Sequence, residues 1–203
     1  MLPIGGSIAV TSPAFSGGRW ITSKRAWPSR SSRSARDTYR VVNTHLEVEN
    51  LDPTNPLSPA IQAAQATELK AVLDATSAGV RLIVAGDINS TPEDTRFPHP
   101  VSGPLVRPFQ QFVEGVDFFG QPTPGGPYLD TWALRPGKPA GYTCCDENLS
   151  TGELALDERK DVMFVREMPA GVKANLVGID PGDRTPSGLW PSDHAGLWVR
   201  FSF

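Results

Sequence analysis

Residues 80–90 read Val80-Arg81-Leu82-Ile83-Val84-Ala85-Gly86-Asp87-Ile88-Asn89-Ser90. A short apolar run that stops abruptly at Gly, Asp and Asn has the form of a buried strand ending in a polar tip. Val80–Ala85 is that strand, and Gly86-Asp87-Ile88-Asn89 is its tip. Upstream, the β-branched run Tyr39-Arg40-Val41-Val42-Asn43-Thr44-His45 predicts a second buried strand that also ends in polar residues. Between the two lies the clearest helix. Ser58 is placed to cap it, Pro59 suits its first position, and Gly79 stops it. Ile61, Ala64, Leu69, Val72 and Leu73 predict its buried side.

Further on, residues 91–129 are loop-rich, with a short helix expected near Gln110–Val113. Asp161–Arg166 and Leu197–Phe201 predict two more strands. In the last, Leu197, Val199 and Phe201 share one face, and Trp198 and Arg200 the other. Strand, helix, strand and then several strands predict a mixed α/β fold with two layers of sheet.

Composition sets the outer bounds. The chain has 203 residues, enough for one domain with a large core of its own. Its 19 Gly and 20 Pro predict many loops and few long helices. No apolar run reaches the roughly 18 residues of a membrane span, and the opening Met1-Leu2-Pro3-Ile4-Gly5-Gly6, without a basic stretch and a sustained apolar one after it, is not expected to be a secretory leader. A cytoplasmic monomer is the default expectation. The net charge of -3 argues against a strong nucleic-acid binder held by phosphate contacts.

The charge is unevenly placed. Residues 1–40 hold seven basic residues against Asp37, while the first Glu of the chain is Glu47. This predicts two regions, a basic Gly/Ser/Arg-rich segment over 1–40, partly loop, and a folded domain over 41–203. Within the first, Arg19–Trp27 suggests a short strand, and Ser29–Arg36 reads as a solvated loop or a nucleic-acid arm. Cys144 and Cys145 are adjacent, which argues against a disulfide framework because their Cα atoms stand only about 3.8 Å apart.

Four segments join a strand to residues that bind metal or phosphate: 43–47 (NTHLE), 86–89 (GDIN), 159–165 (RKDVMFV) and 192–194 (SDH). Each alone has a plain structural reading. A lone His45 is ordinarily structural, Asp-x-Asn after a strand is ordinarily a turn, Asp161 suits a strand edge, and Asp193-His194 suits a loop. In this order they are more specific. The sequence resembles the endonuclease/exonuclease/phosphatase superfamily over residues 41–203, through these segments and through Gln65-Ala66-Thr67-Glu68-Leu69, Asp130-Thr131-Trp132, Gly141-Tyr142-Thr143-Cys144-Cys145 and the Arg159/Asp161 pair.

The resemblance implies a two-layer β-sandwich flanked by helices, the DNase I-like fold, with a site where strand tips and loops of both sheets converge. It implies hydrolysis of a phosphate ester, nucleic acid among the substrates, assisted by a divalent metal: Mg²⁺, or Mn²⁺ or Ca²⁺. A phosphoryl centre is anionic, so it needs a positioned water, a base, and groups that absorb charge on its oxygens. By the family pattern His194 is the base, its ordinary pKa of about 6.5 suiting the task. Asp161 orients it. Asp87 places the water or leaving group and binds metal, and Asp193 is a second candidate metal ligand. Asn89, His45 and Thr143 are expected to touch phosphate oxygens. Glu68 and Asp130 are expected to be structural.

One part of the pattern is missing. The family carries an Asn at the tip of its first strand and then a Glu that holds the metal, yet residues 1–40 contain neither residue type. The expectation is a chain lacking the first strands, either because its start lies further upstream or because it is a degenerate copy. Asp37, beside the Tyr39 strand, and Glu47, two residues past His45, are weak substitutes. An inactive fragment or pseudoenzyme is therefore the alternative to a phosphoesterase. A nucleic-acid-binding module using residues 19–40 is a third reading, opposed by the acidic body.

Overall fold

The computed structural model describes residues 6–10, 21–23, 39–48, 57–99, 103–137, 139–150 and 152–203. Ser29–Arg36, and the parts of Arg19–Trp27 beyond residues 21–23, lie outside them.

A five-stranded sheet forms the centre. Its order is β2 (Ile21–Ser23), β3 (Tyr39–His45), β4 (Arg81–Asp87), β8 (Asp161–Val165), β7 (Leu129–Asp130). β3 and β4 run parallel, and β8 runs antiparallel to β4. The crossover between β3 and β4 contains α1 (Leu57–Thr76), as a parallel connection requires. The second sheet has three strands in the order β1 (Gly6–Val10), β10 (Gly196–Ser202), β9 (Gly171–Val177). Residues 1–40, read as a basic and partly looped segment, thus supply one strand to each sheet. A hairpin of β5 (Phe97–His99) and β6 (Gly103–Leu105) precedes α2 (Pro108–Glu114), which covers the predicted Gln110–Val113.

Side-chain alternation divides the core in two. Val42, Leu82, Val84, Val162 and Phe164 face the helices and pack with Leu69, Leu73, Phe109, Phe112 and Tyr128. Phe112 stacks on Phe164 at 4.9 Å between ring centroids and meets Tyr128 edge-on at 5.1 Å. Ile83, Ala85, Met163 and Val165 face the other way, against Ala174, Leu197, Val199 and Phe201 of the second sheet. β4 and β8 are therefore buried on both faces, which is why their sequences are nearly continuous apolar runs. Each such fully buried side chain contributes roughly 1.5–3 kcal/mol. In β10, Leu197, Val199 and Phe201 are buried, as their alternation predicted.

The helix differs from its sequence reading. It begins at Leu57, so Ser58 lies inside it and is not its cap. Its buried side is Pro59, Gln62, Ala63, Ala66, Leu69, Lys70 and Leu73. Ile61 and Val72 are 39% and 53% exposed. The difference arises because two polar residues, Gln62 and Lys70, occupy the inner face, and a search for apolar residues alone selects the wrong stripe. β9 had no counterpart in the sequence reading, since Gly171–Val177 alternates a buried Ala174 with exposed Lys173 and Asn175. None of the described helices is long and apolar enough to cross a membrane.

Candidate active site

The register of the large sheet builds the first half of the site. His45 is the partner of Asp87 across β3–β4, and Asp87 is the partner of Asp161 across β4–β8. The three side chains thus form one row at one end of the sheet. By alternation this row lies on the face that carries Ala85 and Met163, the face packed against the second sheet. His45 Nε2 stands 3.5 Å from Asp87 Oδ2. His45 is 43% exposed at its side chain, whereas Asp87 and Asp161 are buried.

Gly86 makes the row possible. Its φ is +142°, and a Cβ there would stand 1.9 Å from the Thr44 carbonyl oxygen. Only a residue without a side chain lets β4 approach β3 this closely just before Asp87.

The second sheet supplies His194, in the segment leading into β10. Two backbone bonds tie that segment to residues 143–146: Ala195 N–H donates to Thr143 O at 2.8 Å, and Asp146 N–H donates to Asp193 O at 3.0 Å. So held, His194 places Nδ1 2.7 Å from Asp161 Oδ2. A carboxylate on Nδ1 fixes that nitrogen as the donor and leaves Nε2 with its lone pair toward the site. One atom each of Asp87, Asp161 and His194 lie within 4.8 Å of one another.

Electrostatics follow from this crowding. The hydrogen bond to Asp161 raises the His194 pKa above its ordinary 6.5, against the lowering effect of burial, and the charges of Asp161, Asp87 and Asp193 add to the rise. Burial raises the Asp87 carboxyl above the usual carboxylate range, and the charge of Asp161 raises it further. The Asn89 amide and the two histidines pull it back down.

The remaining predicted residues fall in different places. Asn89 is buried beside the row, with a left-handed φ of 49°. Its backbone N–H donates to Asp87 Oδ1 at 2.8 Å, and its side-chain Nδ2 donates to Leu46 O at 3.0 Å. One of its two amide hydrogens is thereby committed to holding the β3 exit against the β4 exit. Thr143 is corrected from a phosphate contact to a buried support. It is 0% exposed, and its Oγ1 accepts the backbone N–H groups of Asp161 at 3.0 Å and Lys160 at 3.2 Å. Asp193 is exposed, lies outside the group formed by Asp87, Asp161 and His194, and takes a 3.4 Å contact from Ser192 Oγ. Arg159 pairs with Asp130 at 2.7 Å, both buried. Glu68 is exposed on α1.

Three residues near the site were given no role by the sequence reading. Gln62, fully buried on α1, donates through Nε2 to the carbonyls of Glu47 and Asn89. Gln65 Oε1 accepts the Glu47 N–H at 2.7 Å. The helix thus clamps both strand exits. The available signal was the 62–66–69–73 spacing, which places Gln62 in line with apolar residues. The third is Cys145, whose Sγ lies 3.7 Å from His194 Nε2.

The donor set suits a hard divalent cation. Asp87 and Asp161 offer buried carboxylate oxygens beside an accessible histidine, and a cation there would offset the mutual repulsion that raises Asp87.

The family described as Endonuclease/Exonuclease/phosphatase family matches residues 3–194. Among solved structures, truncated TDP2 of Caenorhabditis elegans superposes with a TM-score of 0.51 at 18% identity, over 82% of this chain and 55% of its own. TDP2 of D. rerio, solved with a single-strand DNA product, gives 0.51 at 18% identity, over 81% and 56%. A conserved Enterococcus faecalis protein of unknown function gives 0.53 at 16% identity, over 98% and 66%. The chain thus spans little more than half the length of the TDP2 structures. No curated protein matches it. Identities this low show the fold, which is the DNase I-like one.

Proposed function

The chain belongs to the endonuclease/exonuclease/phosphatase family, and from that premise we propose that it hydrolyses phosphate esters by histidine-activated attack of water. Members of this family are generally phosphodiester hydrolases that use divalent metals. The observation that carries the reading for this chain is the 2.7 Å contact between His194 Nδ1 and Asp161 Oδ2, made within 4.8 Å of the Asp87 carboxylate.

His194 takes the proton of the attacking water at Nε2. Asp161 holds the imidazole in the tautomer that leaves Nε2 free and stabilises the imidazolium once the proton has arrived. Thr143 fixes the β8 entrance by accepting the Asp161 and Lys160 amides, so the carboxylate stays aimed at the ring. Asp87 orients the water or leaving group. His45, exposed at the rim, donates to a non-bridging phosphate oxygen, and the uncommitted amide hydrogen of Asn89 suits a second donation. Asp87 and the neighbouring Asp161 oxygens are the groups that would hold Mg²⁺, or Mn²⁺ or Ca²⁺, with Asp193 at the edge. When bound, that ion supplies neutralising charge to the phosphate oxygens. The D. rerio TDP2 complex supports single-stranded nucleic acid as the first substrate to try.

The deciding experiment assays the purified chain with Mg²⁺ on a phosphodiester dye ester, a phosphomonoester dye ester and single-stranded DNA, beside His194→Ala. Hydrolysis of at least one substrate is expected, with the variant slower by about 10²–10⁴-fold, the usual worth of a general base. No turnover on any substrate favours the inactive-chain reading, whose support is the lack of Glu before Glu47.

A further inference from the structure

Gln62 is fully buried on the inner face of α1, where an apolar side chain would meet no desolvation cost. Both hydrogens of its amide go to backbone carbonyls beside the site. Nε2 donates to Glu47 O at 3.0 Å and to Asn89 O at 2.5 Å. Two acceptors fix the orientation of the amide, since only its nitrogen donates. Its other atom, Oε1, is buried with no hydrogen-bond partner among the described residues. A buried oxygen left unpaired opposes stability. A side chain present for packing alone would not carry that cost, so the role of Gln62 lies in the two carbonyls it holds.

Those carbonyls belong to the exits of β3 and β4. The parallel ladder ends at the pair His45 and Asp87. Continuing its register places Glu47 beside Asn89, and Gln62 spans the gap between them. Each exit residue is held at a further point. Gln65 Oε1 accepts the Glu47 N–H at 2.7 Å, and the Asn89 N–H donates to Asp87 Oδ1 at 2.8 Å. Asn89 also has a φ of 49°, a conformation that a residue with a side chain seldom adopts unsupported. Its carbonyl bond to Gln62 and its Nδ2 bond to Leu46 O are that support.

We propose that Gln62 is a positioning residue for phosphoryl chemistry: it sets the span between the His45 imidazole and the Asn89 amide, so that both donors meet oxygens of one phosphoryl group. Gln62 touches no reacting atom. It acts through the Glu47 backbone on the strand end that carries His45, and through the Asn89 backbone on the Asn89 side chain and the Asp87 carboxylate. Without it the two exits are free to part, and donors displaced by about 1 Å lose up to about 10²-fold in rate. The kinetic part of this inference rests on the proposed hydrolysis; the ordering of the two donors does not.

The test compares the full chain with Gln62→Met, which keeps the length of the side chain and removes the donor. Leu73→Ala is the control, a cavity in the same helix about three turns from the exits. Hydrolysis in Mg²⁺ is measured as kcat and KM at a temperature where all three chains are folded. Binding of orthovanadate, a five-coordinate stand-in for the phosphoryl transition state, is measured by calorimetry. Gln62→Met should lose about 10–10²-fold in kcat with KM changed far less, and its vanadate affinity should fall by a similar factor. Leu73→Ala should melt at a lower temperature with kcat and vanadate affinity near those of the parent. A Gln62→Met chain that keeps kcat and vanadate affinity within about twofold overturns the inference, because the bridge is then only structural. Equal losses of kcat in Leu73→Ala overturn it as well, since any weakening of α1 would then suffice. If the parent hydrolyses nothing yet binds vanadate, and Gln62→Met binds it more weakly, the positioning role stands and the proposed function falls. A parent that neither hydrolyses nor binds vanadate overturns both.

Discussion

Asp87 and Asp161 are direct partners across antiparallel strands β4 and β8, two buried carboxylates facing each other with His45 beside the first and His194 on the second. Like charges directly opposite in a sheet oppose its stability. The burial of this pair, and the elevated pKa of Asp87, mark a place where the fold tolerates a local cost that the proposed chemistry uses.

Asp87→Asn should therefore stabilise the protein while stopping catalysis. The Asp87 pKa is raised on folding, so the folded chain binds more protons than the unfolded chain between the ordinary and the raised value. Stability falls as pH rises through that window, and the cost stays in place at neutral pH. Removing the charge should add about 1 kcal/mol, or roughly 2–4 °C in Tm, at pH 7. The gain should shrink on acidification, as thermal melts at several pH values will show. A variant less stable than the parent at pH 7 contradicts this account.

Asp161→Asn separates orientation from charge. A general base works unprotonated, and the raised His194 pKa places the acidic limb of kcat/KM above pH 6.5. Without the Asp161 charge the limb should move to lower pH, and the plateau should fall by about 10²–10⁴-fold. For stability the pH slope of His194 has the same sign as that of Asp87, because both pKa values are raised on folding. A raised histidine pKa contributes stability below its unfolded value, and this is lost as pH rises through the folded value. A pH profile that keeps its limb in the variant rejects the pairing as the cause.

Lys70 offers a test away from the site. It is fully buried, its Nζ has no hydrogen-bond partner among the described residues, and it lies 5.5 Å and 5.1 Å from the ring centroids of Phe112 and Tyr128. Burial lowers its pKa from 10.5 to about 8, although Asp74 pulls it upward. Between those values the unfolded chain binds the extra proton, so stability rises with pH across the window. Lys70→Met should be more stable than the parent below pH 8, by on the order of 1–3 kcal/mol. The gap should narrow toward pH 10.5, as urea unfolding at pH 7 and pH 10 will show.

Gly86→Ala should act on both stability and activity. The added Cβ has no room beside the Thr44 carbonyl, and the φ of +142° is closed to side chains. A loss of roughly 2–4 kcal/mol is expected, together with lost turnover as Asp87 shifts. Gly79→Ala is the control. It also has a positive φ but faces open space, so it should lose stability with turnover intact.

The sequence by itself determined the central strands, their polar tips and the roster of chemistry. β3, β4, β8 and β10 follow from apolar runs and period-two alternation, which are local properties of neighbouring residues. That His45, Asp87 and Asp161 share a face follows from the pairing and register of β3, β4 and β8, which the structure supplies. The inner face of α1 was less legible because Gln62 and Lys70 are polar yet buried, and only their partners explain that. Thr143 looked like a phosphate ligand because its neighbours do, whereas the structure turns its hydroxyl to the Asp161 and Lys160 amides. The tertiary structure alone decided that His194 meets Asp161 at 2.7 Å and Cys145 at 3.7 Å. These residues come from different elements, and their separation is set by how two sheets pack and how two loops bond to each other. No spacing along the chain encodes that distance.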